Sequence, residues 1–194
     1  MQVLDEKKRE KILSVAAELF ARKHFHQVLL SDVAAEASVG KGTLYTYFKN
    51  KEELYLSVLS SAFFQLVDRI RERLGHSSSG PEENLEMVVR EIVLFAYQTP
   101  HLFEMMRAAP LGKAIDRKRC NNKRRELVSL IESIIRDGIA SGVFEDTNPE
   151  WTAAYVSGLV RSVLMDGIEN VNQDALTDHM FRFVCSSLKR KDKC

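Results

Sequence analysis

Cysteine, proline and long apolar runs are scarce in this chain of 194 residues. The three cysteines, Cys120, Cys185 and Cys194, lie far apart without a CxxC pair or a Cys/His ligand spacing, so we expect neither a disulfide nor a metal site. No apolar run approaches the roughly 18 residues that a membrane-spanning helix needs. The N-terminal MQVLDEKKREK does not resemble a signal peptide. We therefore expect a cytoplasmic protein without membrane contact.

Neither sign of charge is in excess, since 28 Lys and Arg residues stand against 27 Asp and Glu residues and the formal net charge is +1. This balance excludes a polycation that would bind nucleic acid through its overall charge. The hydrophobic content of 45% is enough for a sizeable core in one or two domains.

The apolar residues recur at helical spacing along the chain, and no stretch shows a convincing strand pattern. Glycine and proline interruptions divide the chain into about nine helices, which predicts an all-α fold. A three-helix head at 1–54 is expected to precede a helical domain at 55–194, entered by a long helix over 54–74. Further helices are predicted at 82–97, 101–109, 115–141, 149–170 and 174–188.

The stretch SDVAAEASVGKGTLYTYFKNKEEL, residues 31–54, predicts two short helices joined by a tight turn. Ser31 is a candidate N-cap for the first helix. Gly40 and Gly42 are expected to turn the chain while Val39 stays inside, because glycine adopts positive φ at little cost. Asn50, followed by a glutamate three residues later, resembles a capping box that starts the next helix.

The second short helix has an outer face without carboxylates. No acidic residue occurs from residue 37 to 50, and carboxylates would repel phosphate. Leu44 and Phe48 are predicted to face inward. These features are typical of a helix-turn-helix that enters a DNA groove, although an ordinary helical surface remains the alternative. The outer and rim residues are Lys41, Thr43, Tyr45, Thr46 and Tyr47.

The runs KILSVAAELFARKHF and VGKGTLYTYFKNKEEL closely resemble the N-terminal domain of the TetR family of bacterial transcription regulators. The resemblance covers roughly the first 55 residues. Two positions depart from the usual wording: Ser38 stands where glycine is common, and Gly40 stands where serine is common. Val28-Leu29-Leu30 also occupies a place where threonine is frequent, which leaves Ser31 as a substitute phosphate contact.

The resemblance implies that two residues of the second short helix face base edges and that others touch the DNA backbone. The implied base-edge residues are Thr43 and Tyr45, and the implied backbone contacts are Lys41, Gly42, Thr46, Tyr47 and Lys51. For Tyr47, packing beside Phe48 is the alternative. Residues 1–54 hold nine basic and eight acidic residues, a net charge of +1, so affinity must depend on the placement of a few lysines and on a dimer.

The last two helices are predicted to form a homodimer through a four-helix bundle, with core faces of a monomer as the alternative. The candidate interface residues are Trp151, Leu159, Met180, Phe183 and Val184. Two heads about 34 Å apart would then read a palindromic operator in double-stranded DNA.

The middle helices are candidates for a small-molecule effector site, whose existence is implied by the resemblance. Soft and aromatic side chains of this kind line adaptable pockets, although an ordinary core has the same composition. The candidate pocket residues are Met87, Phe95, Phe103, Met106 and Tyr155. The basic segment RKRCNNKRR at 117–125 is interpreted as a solvated surface, with an anionic effector, DNA, or oxidant sensing by Cys120 as alternatives.

Catalysis is disfavoured, because the five histidines show no metal spacing and no phosphate loop or nucleophile motif occurs. We expect no cofactor. The sequence therefore predicts a ligand-responsive DNA-binding regulator, most simply a repressor. The alternative is a DNA-binding dimer without a small-molecule switch, such as a nucleoid or division factor.

Overall fold

The computed structural model describes residues 5–99, 114–165 and 172–189, and within these ranges it contains only helices. The all-α prediction is confirmed. The predicted helix at 101–109, with Phe103 and Met106, lies outside the described residues. The helices are α1 (Glu6–Arg22), a 3-10 turn (Phe25–Gln27), α2 (Leu30–Glu36), α3 (Lys41–Tyr47), α4 (Lys51–Gly75), α5 (Pro81–Gln98), α6 (Ala114–Ala140), α7 (Pro149–Met165) and α8 (Gln173–Leu188).

The head consists of α1 to α3 and the first turns of α4. The Asp5 carboxylate caps α1 by accepting the Lys8 backbone N–H at 3.4 Å. Tyr55 lies edge-on to Phe20 and Phe25, with ring centroids 4.9 and 4.8 Å apart. The predicted domain boundary after residue 54 therefore falls inside α4, whose first turns belong to the core of the head. The apolar stripe of α1 is buried at Ile12, Leu13, Ala16, Leu19 and Phe20.

The second part of the chain is arranged around α5, which packs against α4, α6, α7 and α8. This helix is apolar on most of its circumference, as expected for an element covered on several sides. The connection after α6 is tied to the end of α8, because the Glu145 backbone N–H donates to the Leu188 carbonyl at 2.7 Å. None of the helices in the described ranges is long and apolar enough to cross a membrane.

Helix α4 belongs to both parts of the molecule. It is continuous for 25 residues, a length of roughly 37 Å at 1.5 Å per residue. It packs on α1 in the head and on α5 and α6 in the second part. A single continuous helix therefore connects the head to the second part of the molecule.

Candidate nucleic-acid interface

The turn between α2 and α3 is a Schellman motif. The Ser38 N–H donates to the Ala35 carbonyl at 3.0 Å, and the Val39 N–H donates to the Ala34 carbonyl at 2.9 Å. Ser38 takes the left-handed position, with φ of 56°, which glycine usually occupies in this motif. Gly40 has φ of −66°, so the expected positive φ at Gly40 was wrong.

The Schellman motif also explains why Val39 is turned toward the core. Val39 is partly buried against the core, because the motif brings the residue after the left-handed position back over the last turn of the helix. The prediction that Val39 stays inside is confirmed.

Helix α3 presents opposite faces to the core and to solvent. Leu44 is 0% exposed and Phe48 is 1% exposed, so their predicted inward orientation is confirmed. Tyr45 is 44% exposed although it is large and aromatic. The other residues of the outer face, Lys41, Gly42, Thr43 and Thr46, are also exposed. A Cβ built on Gly42 meets no other part of the protein within 4 Å, so the helix surface is open at this point.

Ser31 does not cap α2, and this prediction was wrong. Leu29 occupies the N-cap position without a side-chain hydrogen bond, and Ser31 lies inside the first turn. The Ser31 side chain is exposed and donates to the Asp32 carboxylate at 3.3 Å. The chain enters the helix two residues earlier than expected because the Asp32 and Val33 N–H groups already bond the Leu29 carbonyl. Ser31 remains exposed to solvent.

The start of α4 follows the predicted cap in a modified form. The Asn50 side chain accepts the Glu53 backbone N–H at 2.8 Å. The Glu53 carboxylate returns to the Lys49 N–H, also at 2.8 Å, rather than to that of Asn50. The backbone N–H groups of Lys49 and Glu53 are therefore both satisfied, which stabilises the junction between α3 and α4.

Two residues that the family resemblance assigns to phosphates have partners inside the protein. The Tyr47 hydroxyl accepts the Asp5 N–H at 3.0 Å and donates to the Asp5 carbonyl at 3.1 Å. The Lys51 ammonium donates to the carbonyls of His26 and Val28 at 3.3 and 3.0 Å. Sequence separations of 42, 25 and 23 residues explain why no local pattern indicated these contacts.

The predicted dimer residues divide into two groups. Trp151 and Phe183 are 60% and 58% exposed, so they are available to a partner, and Leu159 is partly buried. Met180 and Val184 are only 3% and 2% exposed within one chain. Side chains buried in their own core have little surface left for a partner, and the assignment of Met180 and Val184 to the interface stays a prediction.

The pocket candidates within the described residues are Met87, Phe95 and Tyr155. Phe95 is 5% exposed and contacts the Phe63 ring at 5.9 Å, whereas Met87 is partly buried. Tyr155 is 66% exposed and lies one turn from Trp151, and its assignment to an effector pocket stays a prediction. A cleft of about 430 Å³ lies between α1, α4 and α6, and of the predicted pocket residues that the structure describes, Met87, Phe95 and Tyr155, none lines it.

Sequence reasoning missed Glu91, which is 2% exposed in the middle of α5. Its carboxylate pairs with Arg73 and, at 3.5 Å, with Arg69, both on the last turns of α4. A buried charge of this kind persists only when it is paired. The available signal was a single acidic residue within the apolar run of α5, where leucine or valine would be ordinary. The contact joins the end of the helix that carries the head to α5.

Two family profiles match the chain, one for bacterial regulatory proteins of the tetR family over residues 12–58 and one for the tetracyclin repressor-like C-terminal domain over residues 78–165. The chain belongs to the TetR family of transcriptional regulators. This TetR-family chain is therefore a DNA-binding regulator of transcription and not an enzyme.

The TetR-family chain has similar relatives of nearly equal length. It is 29% identical to the HTH-type transcriptional regulator YhgD of Bacillus subtilis over 164 aligned residues, and this alignment covers 84% of each chain. It is 26% identical over 137 residues to the fatty acid metabolism regulator protein of the same organism, with 70% of each chain covered.

Solved structures show the same fold. FadR from Bacillus subtilis, in complex with stearoyl-CoA, superposes with a TM-score of 0.79 at 21% identity, over 92% of this TetR-family chain and 98% of that one. FadR from Bacillus halodurans superposes with a TM-score of 0.80 at 20% identity, over 97% of this chain and 100% of the other.

Proposed function

We propose that this chain acts as a homodimeric repressor that binds a palindromic operator and is released by a small-molecule effector. The observation that supports this best is the exposed, acid-free outer face of α3, which is fixed to the core of the head by Leu44 and Phe48. A rigid helix with such a face is the element that a helix-turn-helix places in the major groove.

The proposed contacts divide into reading and positioning. Thr43 and Tyr45 read base edges, because a threonine hydroxyl bonds either donor or acceptor groups and its methyl meets a thymine methyl. Ser31, Lys41 and Thr46 bind the DNA backbone. Gly42 permits close approach, since its Cα hydrogens leave the helix surface open. Backbone contacts set the register and carry no sequence information, so discrimination depends on Thr43 and Tyr45.

Dimerisation supplies the second head that one small contact surface requires. Exposed Trp151 and Phe183 on α7 and α8 are the apolar groups that we assign to this interface. Aromatic side chains of this size contribute most of the energy of typical interfaces. A two-fold axis would place two α3 helices about 34 Å apart, one turn of DNA.

Effector release is proposed to act through α4. A compound bound beside α5 shifts this helix, and the pairing of Glu91 with Arg69 and Arg73 passes the shift to α4 and so to the head. A coupling free energy of about 1–3 kcal/mol changes operator affinity roughly 5- to 150-fold, and DNA must weaken effector binding by the same factor. The stearoyl-CoA complex of a regulator with this fold makes long-chain acyl-CoA thioesters the first compounds to test.

The decisive experiment is a selection of bound genomic fragments by the purified protein, followed by footprinting of the best site. The titration is then repeated with acyl-CoA thioesters and a wider metabolite panel. We expect a protected palindrome that one compound releases. A palindrome that no compound releases would support the unswitched DNA-binding dimer, and the absence of any specific site would refute the proposed operator binding.

Gly42→Ala separates folding from DNA binding. We expect equal or higher thermal stability, because alanine is favoured over glycine inside a helix by about 1 kcal/mol, and at least tenfold weaker operator binding because the new methyl group meets the DNA. Gly75→Ala is the matched control, since its Cβ also meets nothing within 4 Å and it lies at the far end of α4. Unchanged operator affinity in Gly42→Ala would remove this face of α3 from the interface.

A further inference from the structure

We propose that Lys51 is a positioning residue of the DNA-binding head, which holds the segment before α2 against α4, and that it is not itself a phosphate ligand. The inference rests on the proposed operator binding and deepens it. It reverses the role that the family resemblance assigns to this lysine.

The ammonium group of Lys51 is occupied within the head. It donates to the Val28 carbonyl at 3.0 Å and to the His26 carbonyl at 3.3 Å. It also lies 4.6 Å from the centroid of the Phe25 ring, within the distance at which a cation is attracted to an aromatic face. Of the three donors of an ammonium group, two are used, and the remaining surface of the cation is partly covered by a ring.

The position of the Lys51 charge explains why these contacts are favourable. Lys51 is the first residue of α4, where the helix dipole disfavours a positive charge. Carbonyl oxygens and an aromatic face offset that unfavourable position. Hydrogen bonds that involve a charged group are roughly twice as strong as neutral ones. The Lys51 ammonium group would lose two such bonds if it moved to a phosphate.

The partners of Lys51 determine where α2 begins. Val28 is 0% exposed, and Phe25 packs against Phe20 and Tyr55 in the core of the head. Between this anchored segment and α2 there is only Leu29, and Ser31 follows in the first turn of α2. By fixing the carbonyls of residues 26 and 28, Lys51 fixes the position of the exposed Ser31 side chain.

Lys41 provides the contrast. Its side chain is exposed on the first turn of α3, and the described hydrogen bonds and ion pairs include none from its ammonium group. A cation in this situation is free to bind phosphate and to release counterions from DNA. The two lysines therefore differ in role although both belong to the same motif.

The first test is the salt dependence of operator binding by wild-type protein, Lys41→Ala and Lys51→Met. For Lys41→Ala we expect the log–log salt slope to fall by about 0.9 per lost phosphate contact. For Lys51→Met we expect an unchanged slope, with affinity lowered about 3- to 10-fold per head by the displaced Ser31 contact. A slope reduced in Lys51→Met as much as in Lys41→Ala would overturn the proposal.

The second test asks whether Lys51 acts through Ser31. If it does, Ser31→Ala weakens the wild-type protein but costs little more in the Lys51→Met background, whereas Thr43→Ala weakens both backgrounds equally. A general loss of structure would reduce all contacts alike, so it would not produce this selective coupling. Full additivity of Lys51→Met with Ser31→Ala would contradict the positioning role.

A third measurement needs only the wild-type protein and therefore does not depend on the folding of a variant. Lysine acetylation is mapped by mass spectrometry in the free protein and in the operator complex. We expect slow acetylation of Lys51 in both states, and fast acetylation of Lys41 that operator DNA suppresses. Fast acetylation of Lys51 in the free protein would overturn the proposal even if no operator were found, and failure of the proposed function would appear separately as absent DNA binding.

Discussion

The left-handed Ser38 leads to a quantitative prediction: Ser38→Gly stabilises the protein. A non-glycine residue with φ of 56° carries a steric cost of roughly 1–2 kcal/mol, because Cβ approaches the following carbonyl oxygen. Glycine removes this cost but loses more backbone entropy on folding, which takes back about 0.5–1 kcal/mol. The net expectation is a gain of about 0.5–1 kcal/mol.

The hydrogen bonds of the turn justify attributing the effect to the backbone preference of residue 38. Both bonds of the Schellman motif are made by backbone groups of residues 34, 35, 38 and 39, and glycine preserves them. No hydrogen bond from the Ser38 hydroxyl occurs among the described contacts. The substitution therefore changes the conformational preference of one residue and leaves its partners in place.

Calorimetric melting is the assay, with Ser78→Gly as the control. Ser78 is an exposed loop serine whose φ is not positive, so glycine there removes no strain and should leave stability equal or slightly lower. For a chain of this size a gain of 0.5–1 kcal/mol corresponds to a Tm increase of about 1–4 °C. A Tm of Ser38→Gly at or below that of Ser78→Gly would refute the argument from strain.

Two further predictions concern side chains whose partners lie far away in sequence. Tyr47→Phe removes both bonds to the Asp5 backbone and should lower stability by about 0.5–1 kcal/mol in chemical denaturation; unchanged stability would leave the hydroxyl available to DNA. Burial, reinforced by Glu82 and opposed by Lys189, raises the pKa of the Cys185 thiol to about 11. Alkylation at pH 8, mapped by mass spectrometry, should therefore be slow at Cys185 until the protein is unfolded, and stability should fall as the pH rises from about 9 to 11. Rapid native labelling would contradict this.

The features that the sequence determined by itself depend on neighbours in the chain. Leu44 and Phe48 lie one turn apart, so helical spacing alone predicted that they share a buried face. Asn50 was predicted as a cap because a capping side chain bonds an N–H group only three residues ahead. The acid-free outer face of α3 was likewise visible as a run of letters.

For other features the sequence offered two neighbouring candidates for one role and did not indicate which of them would take it. Ser38, rather than a glycine, took the left-handed conformation because the hydrogen bonds to the end of α2 require it at that position. Leu29 rather than Ser31 is the N-cap, because α2 begins directly after the anchored segment at residues 25–28.

Only the tertiary structure decided which apolar stripe is covered and by what. Met180 and Trp151 both belong to regular apolar stripes, yet α5 lies against α8 and buries Met180 while Trp151 stays exposed. The occupied ammonium of Lys51 and the paired carboxylate of Glu91 have the same origin. Periodicity depends on bonds within one helix. Burial and ion pairing depend on a second segment that is distant in sequence, and only the whole fold determines which segment packs there.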